Sequence, residues 1–269
     1  MKMAFLGGGG NMGSALIRGL LSSGIAAPEE IILTSSTFES ATSAANVLGV
    51  SAAASAAEAV GSAEIVFLCV KPAKALALLQ EHPGALDGKL LISVAAGIGA
   101  DDLASAAGHG CRVIRTMPNT AVRLRKGVTA IAPHASASPA DRELAERLFS
   151  SVGSPVIIRE EEMDIVTAVS GSGPAFALLV MESMAREAVR HGLEPSQALL
   201  FASGAFSAAS SLVTETGTSP SDLRAEITSP GGTTAAGLAV LTEKGLPGIV
   251  ESAVSAAAAR SAEMSGKGR

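Results

Sequence analysis

The chain has no tryptophan and no tyrosine, and its aromatic content is only 3% of 269 residues. Stacking of nucleic-acid bases on aromatic platforms is therefore not an expected mode of action. The core has to be assembled from Ala, Val, Ile and Leu. Cysteine is nearly missing too, with only Cys69 and Cys111. Two isolated cysteines build no four-thiolate metal site, and no Cys-x-x-Cys occurs. Both sit in apolar runs that read as buried strands. Thiol chemistry is not expected, and a reducing cytoplasm fits. Positive charge is the scarcer sign, 20 Lys and Arg against 25 Asp and Glu, for a net charge of −5. An anionic surface disfavours non-specific binding to nucleic acid or to an anionic membrane. It still leaves room for a local cationic pocket.

Other absences narrow the chemistry further. No Gly-x-Ser-x-Gly is present, so a hydrolase nucleophile elbow is not expected. His82, His109, His134 and His191 have no metal-ligand spacing with one another, and no metal is expected. No membrane span is expected, because the strongest apolar stretches read as short strands, such as residues 65–70. An N-terminal leader is not expected either, since the glycine run at 7–10, Asn11 and Arg18 interrupt any apolar core of a signal.

What is present is a globular composition, 48% apolar and 17% charged, with a mean hydropathy of +0.40. Disordered chains are poorer in apolar residues and richer in charge. Over the first 160 residues short apolar runs alternate with helical patterns. Strands are expected at 3–6, 31–34, 65–70, 90–94, 112–116, 128–131 and 156–158. Helices are expected at 11–23, 38–48 and 74–81, after an Asp101 cap, and after a Ser138 cap with Pro139 at the first helical position and Asp141 in the capping-box place. Runs buried on both faces and alternating with helices imply a mainly parallel, doubly wound sheet. Beyond residue 162 the strand signal fades. Helices are expected from Pro174 to His191, from Pro195 to about Val213, at 219–226, 234–244 and 247–264, with a frayed tail at 265–269. Their apolar residues fall on more than one face, and such a helix has to be covered on all sides. A subunit interface is the favoured explanation; docking on the first domain of the same chain is the alternative. The expected division is 1–162 and 163–269.

Several motifs carry chemistry. Gly8-Gly9-Gly10-Asn11-Met12-Gly13 follows a strand and opens a helix, the context in which Gly-x-Gly-x-x-Gly binds a dinucleotide. Gly8 is expected to allow the tight turn, Gly10 the approach of a pyrophosphate, and Gly13 the close packing of helix on strand. The end of the second strand reads Thr34-Ser35-Ser36-Thr37 and lacks the carboxylate that takes the ribose 2′-hydroxyl of NAD. NADPH is therefore the preferred cofactor, with NADH possible. The hydroxyls cap the next helix in the plainer reading. Val70-Lys71-Pro72, Ala95-Ala96-Gly97 and Met117-Pro118-Asn119-Thr120 lie at strand exits, where open α/β sheets bind ligands. Ser170-Gly171-Ser172-Gly173-Pro174 is either a linker or a set of amides at a helix start. Thr228-Ser229-Pro230-Gly231-Gly232-Thr233-Thr234 has more hydroxyls and glycines than a cap needs, and makes a plausible carboxylate nest. Glu160, Glu161 and Glu162 read as a solvated helix start.

In this order the motifs resemble the pyrroline-5-carboxylate reductase family over nearly the whole chain. The most specific piece is Ile227-Thr228-Ser229-Pro230-Gly231-Gly232-Thr233-Thr234-Ala235-Ala236-Gly237-Leu238. The resemblance implies an α/β fold: a Rossmann-like doubly wound sheet followed by an all-helical dimerisation domain. It implies a homo-oligomer built on a dimer, an active site completed by the partner's helical domain, and 1-pyrroline-5-carboxylate as substrate. It further implies that Gly8, Gly10, Asn11 and Met12 hold the pyrophosphate, with Ser35 and Ser36 near the adenosine ribose. Val70, Lys71, Pro72, Ala95 and Ala96 would flank the nicotinamide half. Ser229, Gly231, Gly232 and Thr233 would hold the substrate carboxylate, and Thr234 the ring nitrogen. Two departures stand out. Where the family has Pro and small residues after Met-Pro-Asn-Thr, this chain has Ala121-Val122-Arg123-Leu124-Arg125-Lys126, at the cofactor mouth or on the surface. Ala56 stands where the family often has Asn near the ribose. A reductase of the β-hydroxyacid dehydrogenase type is the nearest rival, but it needs a lysine in its second domain, and none occurs between Lys126 and Lys244. A dinucleotide sensor without turnover is the rival from another class.

Overall fold

The computed structural model describes residues 1–265. Eight strands form one sheet in the order β3-β2-β1-β4-β5-β6-β7-β8. The strands are β1 Met3–Leu6, β2 Ile31–Leu33, β3 Ser51–Ala52, β4 Ile65–Leu68, β5 Leu90–Ser93, β6 Arg112–Pro118, β7 Gly127–Pro133 and β8 Gly153–Ile157. All neighbours run parallel except β6 and β7, which pair antiparallel. The helices of this region are α1 Asn11–Ser22, α2 Phe38–Leu48, α3 Ala56–Gly61, α4 Pro72–Gln80, α5 Ala100–Ala107 and α6 Pro139–Ser150.

The continuous apolar strands follow from burial on both faces. Met3, Phe5, Ile65 and Phe67 pack with α1, α2 and α6 on one side. Ala4, Leu6, Val66 and Leu68 pack with α3, α4 and α5 on the other. Scarce aromatics concentrate here. Phe5 stacks on Phe67 with ring centroids 4.4 Å apart, and Phe149 meets Phe67 edge-on at 6.3 Å. The capping box of α6 forms as expected, Asp141 N–H donating to Ser138 Oγ at 3.2 Å and Ser138 N–H to Asp141 Oδ2 at 2.9 Å.

Some expectations need correction. Asp101 does not cap α5; Gly99 does, and Asp101 lies in the first turn. Helix α4 starts at Pro72 rather than at residue 74. The short β3 and α3 were not anticipated: a two-residue strand carries no periodicity. The Ser170–Pro174 stretch is not a linker: α8 starts within it at Gly173, directly from a π turn. Glu160–Arg190 is helical throughout, through α7 Met163–Val166, a π turn at Thr167–Ser172 and α8 Gly173–Arg190. The longest apolar stretches are also helical rather than strand-like. Glu160–Arg190 and Pro195–Thr216, with mean hydropathies of 1.5 and 1.2, are long and apolar enough to cross a membrane.

The chain divides into two compact units, Met1–Gly171 with Ala257–Arg269, and Ser172–Ala256. The second is helical: α8, α9 Pro195–Thr216, α10 Pro220–Glu226, α11 Thr233–Glu243 and most of α12 Leu246–Met264. Its buried apolar residues are Ala198, Ala202 and Leu223. Of the expected tail, 266–269 lie outside the described residues. Ser265 is buried and donates from Oγ to Ser261 O at 3.2 Å.

Candidate active site

The strand order reverses direction between β1 and β4, and in open α/β sheets the ligand crevice lies beyond the carboxyl ends at that point. The glycine loop leaves β1 there. Gly7 carries the left-handed φ of +82°, so the tight turn belongs to Gly7 and not to Gly8. Gly8 is required by packing, since a Cβ there would lie 2.8 Å from the Cβ atoms of Leu33 and Phe5. A Cβ on Gly13 would lie 2.7 Å from Gly8 Cα, which is the close helix-on-strand contact expected. Thr34 Oγ1 accepts from Gly7 N–H at 3.3 Å and ties the loop to β2. Gly10 caps α1 without a side-chain hydrogen bond, and no acidic residue lies in the first turn. The amides of Asn11 and Met12 thus stay available to an anion at a positive dipole end.

A cleft of about 870 Å³ opens beside this loop. It brings together Gly10, Ser35, Ser36, Val70 and Lys71 from three sequence segments, with Ala56 and Lys74 also on its wall. Gly8, Asn11, Met12, Pro72, Ala95 and Ala96 are not part of that wall. Ala95 is buried just past β5, its N–H donating to Ser93 Oγ at 3.3 Å. Of the hydroxyls after β2, Thr37 alone caps α2, accepting from Ser40 N–H at 3.2 Å. Ser35 and Ser36 have no such duty among the described residues, so helix capping does not account for them. Cys69, one residue before Val70, is half-buried, and desolvation pushes its thiol up to about 12. It supplies no nucleophile.

In the helical unit, Ser229-Pro230-Gly231-Gly232 forms a turn ahead of α11, with Gly231 at φ +70° and Gly232 N–H donating to Ser229 O at 3.0 Å. Gly232 caps the helix without a side-chain hydrogen bond, and the first turn holds no acid. Thr233 and Thr234 open α11 and are exposed. The nest therefore presents free amides and hydroxyls.

Arg123 and Arg125 do not line the cofactor cleft. With Arg18 they line a separate hollow of about 470 Å³. Asn119 caps the 3₁₀ turn that carries them, its Oδ1 accepting from Ala121 N–H at 3.2 Å. Glu160 is not the solvated residue expected. Its Oε1 pairs with Arg115 at 2.5 Å and accepts from Ala100 N–H at 3.3 Å. Arg115 is 1% exposed, and sequence reasoning missed it because its partner Glu160 lies 45 residues further along the chain.

Residues 160–264 match the family model described as pyrroline-5-carboxylate reductase dimerisation. Residues 2–97 match the model for NADP oxidoreductase, coenzyme F420-dependent. The pyrroline-5-carboxylate reductase of Escherichia coli is 36% identical over 265 residues, 98% of each chain. The chain belongs to the pyrroline-5-carboxylate reductase family. A solved family structure from Coxiella burnetii superposes with a TM-score of 0.91 at 30% identity, over 98% of each chain. The Plasmodium falciparum pyrroline carboxylate reductase with NADP bound does so at 0.89 and 29% identity, again over 98% of each chain. The nearly complete coverage includes the Ser229–Thr234 nest as well as the glycine loop, which is hard to reconcile with a sensor that keeps only the dinucleotide fold.

Proposed function

We propose that this chain reduces 1-pyrroline-5-carboxylate to L-proline with NADPH, and with NADH as a second donor. The observation that carries the reading is the cleft at the reversal of strand order, walled by Gly10, Ser35, Ser36, Val70 and Lys71. Residues 1–162 act as the cofactor half and 163–269 as the dimerisation and substrate half.

The cradle fits a dinucleotide: two glycines leave no room for a Cβ, and α1 opens uncapped. Gly8, Gly10, Asn11 and Met12 hold the pyrophosphate: the amides of Asn11 and Met12 donate to it, while Gly8 and Gly10, whose N–H groups already donate to Phe5 O and Gly7 O, let it approach the backbone. Ser35 and Ser36 donate to the adenosine ribose and its phosphate. Val70, Lys71, Pro72, Ala95 and Ala96 flank the nicotinamide. When bound, the reduced nicotinamide supplies a hydride to the imine carbon. The C=N double bond becomes a single bond, and the nitrogen carries the proton of the iminium form. Ser229, Gly231, Gly232 and Thr233 hold the carboxylate with amides and hydroxyls, and Thr234 orients the ring nitrogen. A protonated imine is already a good electrophile, so positioning supplies much of the rate and no metal is required.

The apolar helical face takes a second copy of the chain, making a homo-oligomer built on a dimer. No nucleic-acid or membrane partner enters this reading, and the free thiols of Cys69 and Cys111 suit a reducing cytoplasm. The deciding test is loss of NADPH absorbance with 1-pyrroline-5-carboxylate, with NADH in parallel. Turnover with formation of proline supports the reading; binding of NADPH without consumption overturns it in favour of a sensor. Thr234→Ala should lower kcat with little change in cofactor affinity. Full kcat in that variant removes Thr234 from the chemistry.

A further inference from the structure

We infer that Lys74 is a specificity-determining residue that clamps the 2′-phosphate of NADPH. The inference rests on the cofactor reading above and goes beyond it to a residue that neither motif nor resemblance singles out.

The difficulty it resolves is electrostatic. A ribose 2′-phosphate carries close to two negative charges, and hydroxyls alone are modest partners for a dianion; charge-assisted hydrogen bonds are roughly twice as strong. The segment from Thr34 to Thr37 contains no Arg or Lys. Ala56, on the wall of the same cleft, has no polar group to offer where the family often has Asn. The fold supplies a cation from another element. Lys74 stands in the first turn of α4 and lines the cleft together with Ser35, Ser36, Thr37 and Ala56. On α4, residues 74, 77, 78 and 81 share one face by helical spacing, and all four line the cleft. Lys71, the other cation on the wall, precedes the helix beside Val70, and the cofactor reading above assigns it to the nicotinamide half. Glu81 is the one carboxylate on the wall among the described residues, two turns further along α4. Lys74 has no ion-pair partner among the described residues, so its charge is not already neutralised by the protein. In a chain of net charge −5, Lys71 and Lys74 give this wall two cations, a local charge that favours the more anionic of the two dinucleotides.

The test is equilibrium binding, by calorimetry, of NADPH, NADH and adenosine 2′,5′-bisphosphate to the full chain and to Lys74→Ala and Lys74→Arg. Lys74→Ala should weaken NADPH and the bisphosphate by about tenfold and leave NADH within about twofold. Lys74→Arg should keep the wild-type preference, because it keeps the charge. The same split should appear in KM for the two cofactors with kcat little changed. Raising salt should weaken NADPH more than NADH in the wild type, and this difference should shrink in Lys74→Ala. Equal weakening of NADH and NADPH would overturn the inference, since a structural or pyrophosphate role moves both. So would an unchanged NADPH affinity, or a preference lost equally in the Arg variant. A wild-type chain that binds neither dinucleotide would instead overturn the cofactor reading itself.

Discussion

The sheet unit and the helical unit are built from similarly apolar sequence and put it to opposite use. In the sheet unit, Met3, Phe5, Val66, Leu91 and Ile92 are sealed between two layers of helices. In the helical unit, Leu178, Leu179, Leu199, Leu200, Phe201, Val240 and Ile249 are exposed, Leu200 at 68% and Phe201 at 65%. Neither α8 nor α11 has a single fully buried residue. Apolar patches of this extent mark association surfaces. The sheet unit keeps its core within one chain; the helical unit leaves its apolar face uncovered, as the proposed oligomer requires and in keeping with the dimerisation model that covers this region.

The sharpest way to break that contrast is to charge the helical face. Leu200→Asp with Phe201→Asp should abolish the oligomer, and light scattering should read the mass of one chain. Val47→Asp on α2 is the control, because Val47 is equally exposed at 68% but belongs to the sheet unit. It should leave both mass and stability unchanged within about 0.5 kcal/mol. An unchanged mass in the double variant would mean that the apolar face is not an interface.

The sealed core predicts a different response. Phe67→Ala removes the ring that both Phe5 and Phe149 contact, and should cost about 3–5 kcal/mol. Denaturant unfolding followed through the sheet unit reads it directly. A loss below about 1 kcal/mol would show that the core collapses around the gap.

How far these regions could be read in advance differs for the same reason. Strands β1, β2, β4 and β5 are continuous apolar runs bounded by turn residues, so their positions were legible within one or two residues. The glycine loop was legible as a motif, but not the assignment of the left-handed turn to Gly7, because only coordinates separate a turn glycine from a packing glycine. The π turn at Thr167–Ser172 was illegible because Gly, Ser and Pro in a row ordinarily signal a break. Lys74 was invisible as a site residue: it lies 39 residues after Ser35 in sequence, and only the pairing of β1 with both β2 and β4 brings the two to one cleft.

The buried ion pair offers a smaller test. Arg115 has Glu160 as its partner at 2.5 Å, and Glu160 also holds the first amide of α5. Removing one member of a buried pair leaves an uncompensated charge, which costs about 3–5 kcal/mol. Glu160 retains some exposure, so Glu160→Ala should fall at the lower end, about 3 kcal/mol. The exposed pair of Arg142 and Glu146 is the contrast, where Glu146→Ala should cost at most about 0.5 kcal/mol. Equal losses would mean that burial does not set the strength of the pair.

The smallest expected effect separates the units by pH. Both thiols lie in the sheet unit, and desolvation raises them, Cys69 to about 12 and Cys111 to about 11, from 9.0. Between the unfolded and the folded values, the unfolded chain has released protons that the native chain still holds. Stability from the buried neutral thiols is therefore complete below about pH 9 and declines as pH rises above it. Cys69→Ala should flatten part of that alkaline decline without changing the slope near neutrality. In the native protein both cysteines should resist alkylation at pH 8, and react promptly once urea exposes them. Rapid alkylation of native Cys69 would show that the strand exit opens far enough to admit reagent, and would place the looser part of the sheet unit beside Lys71.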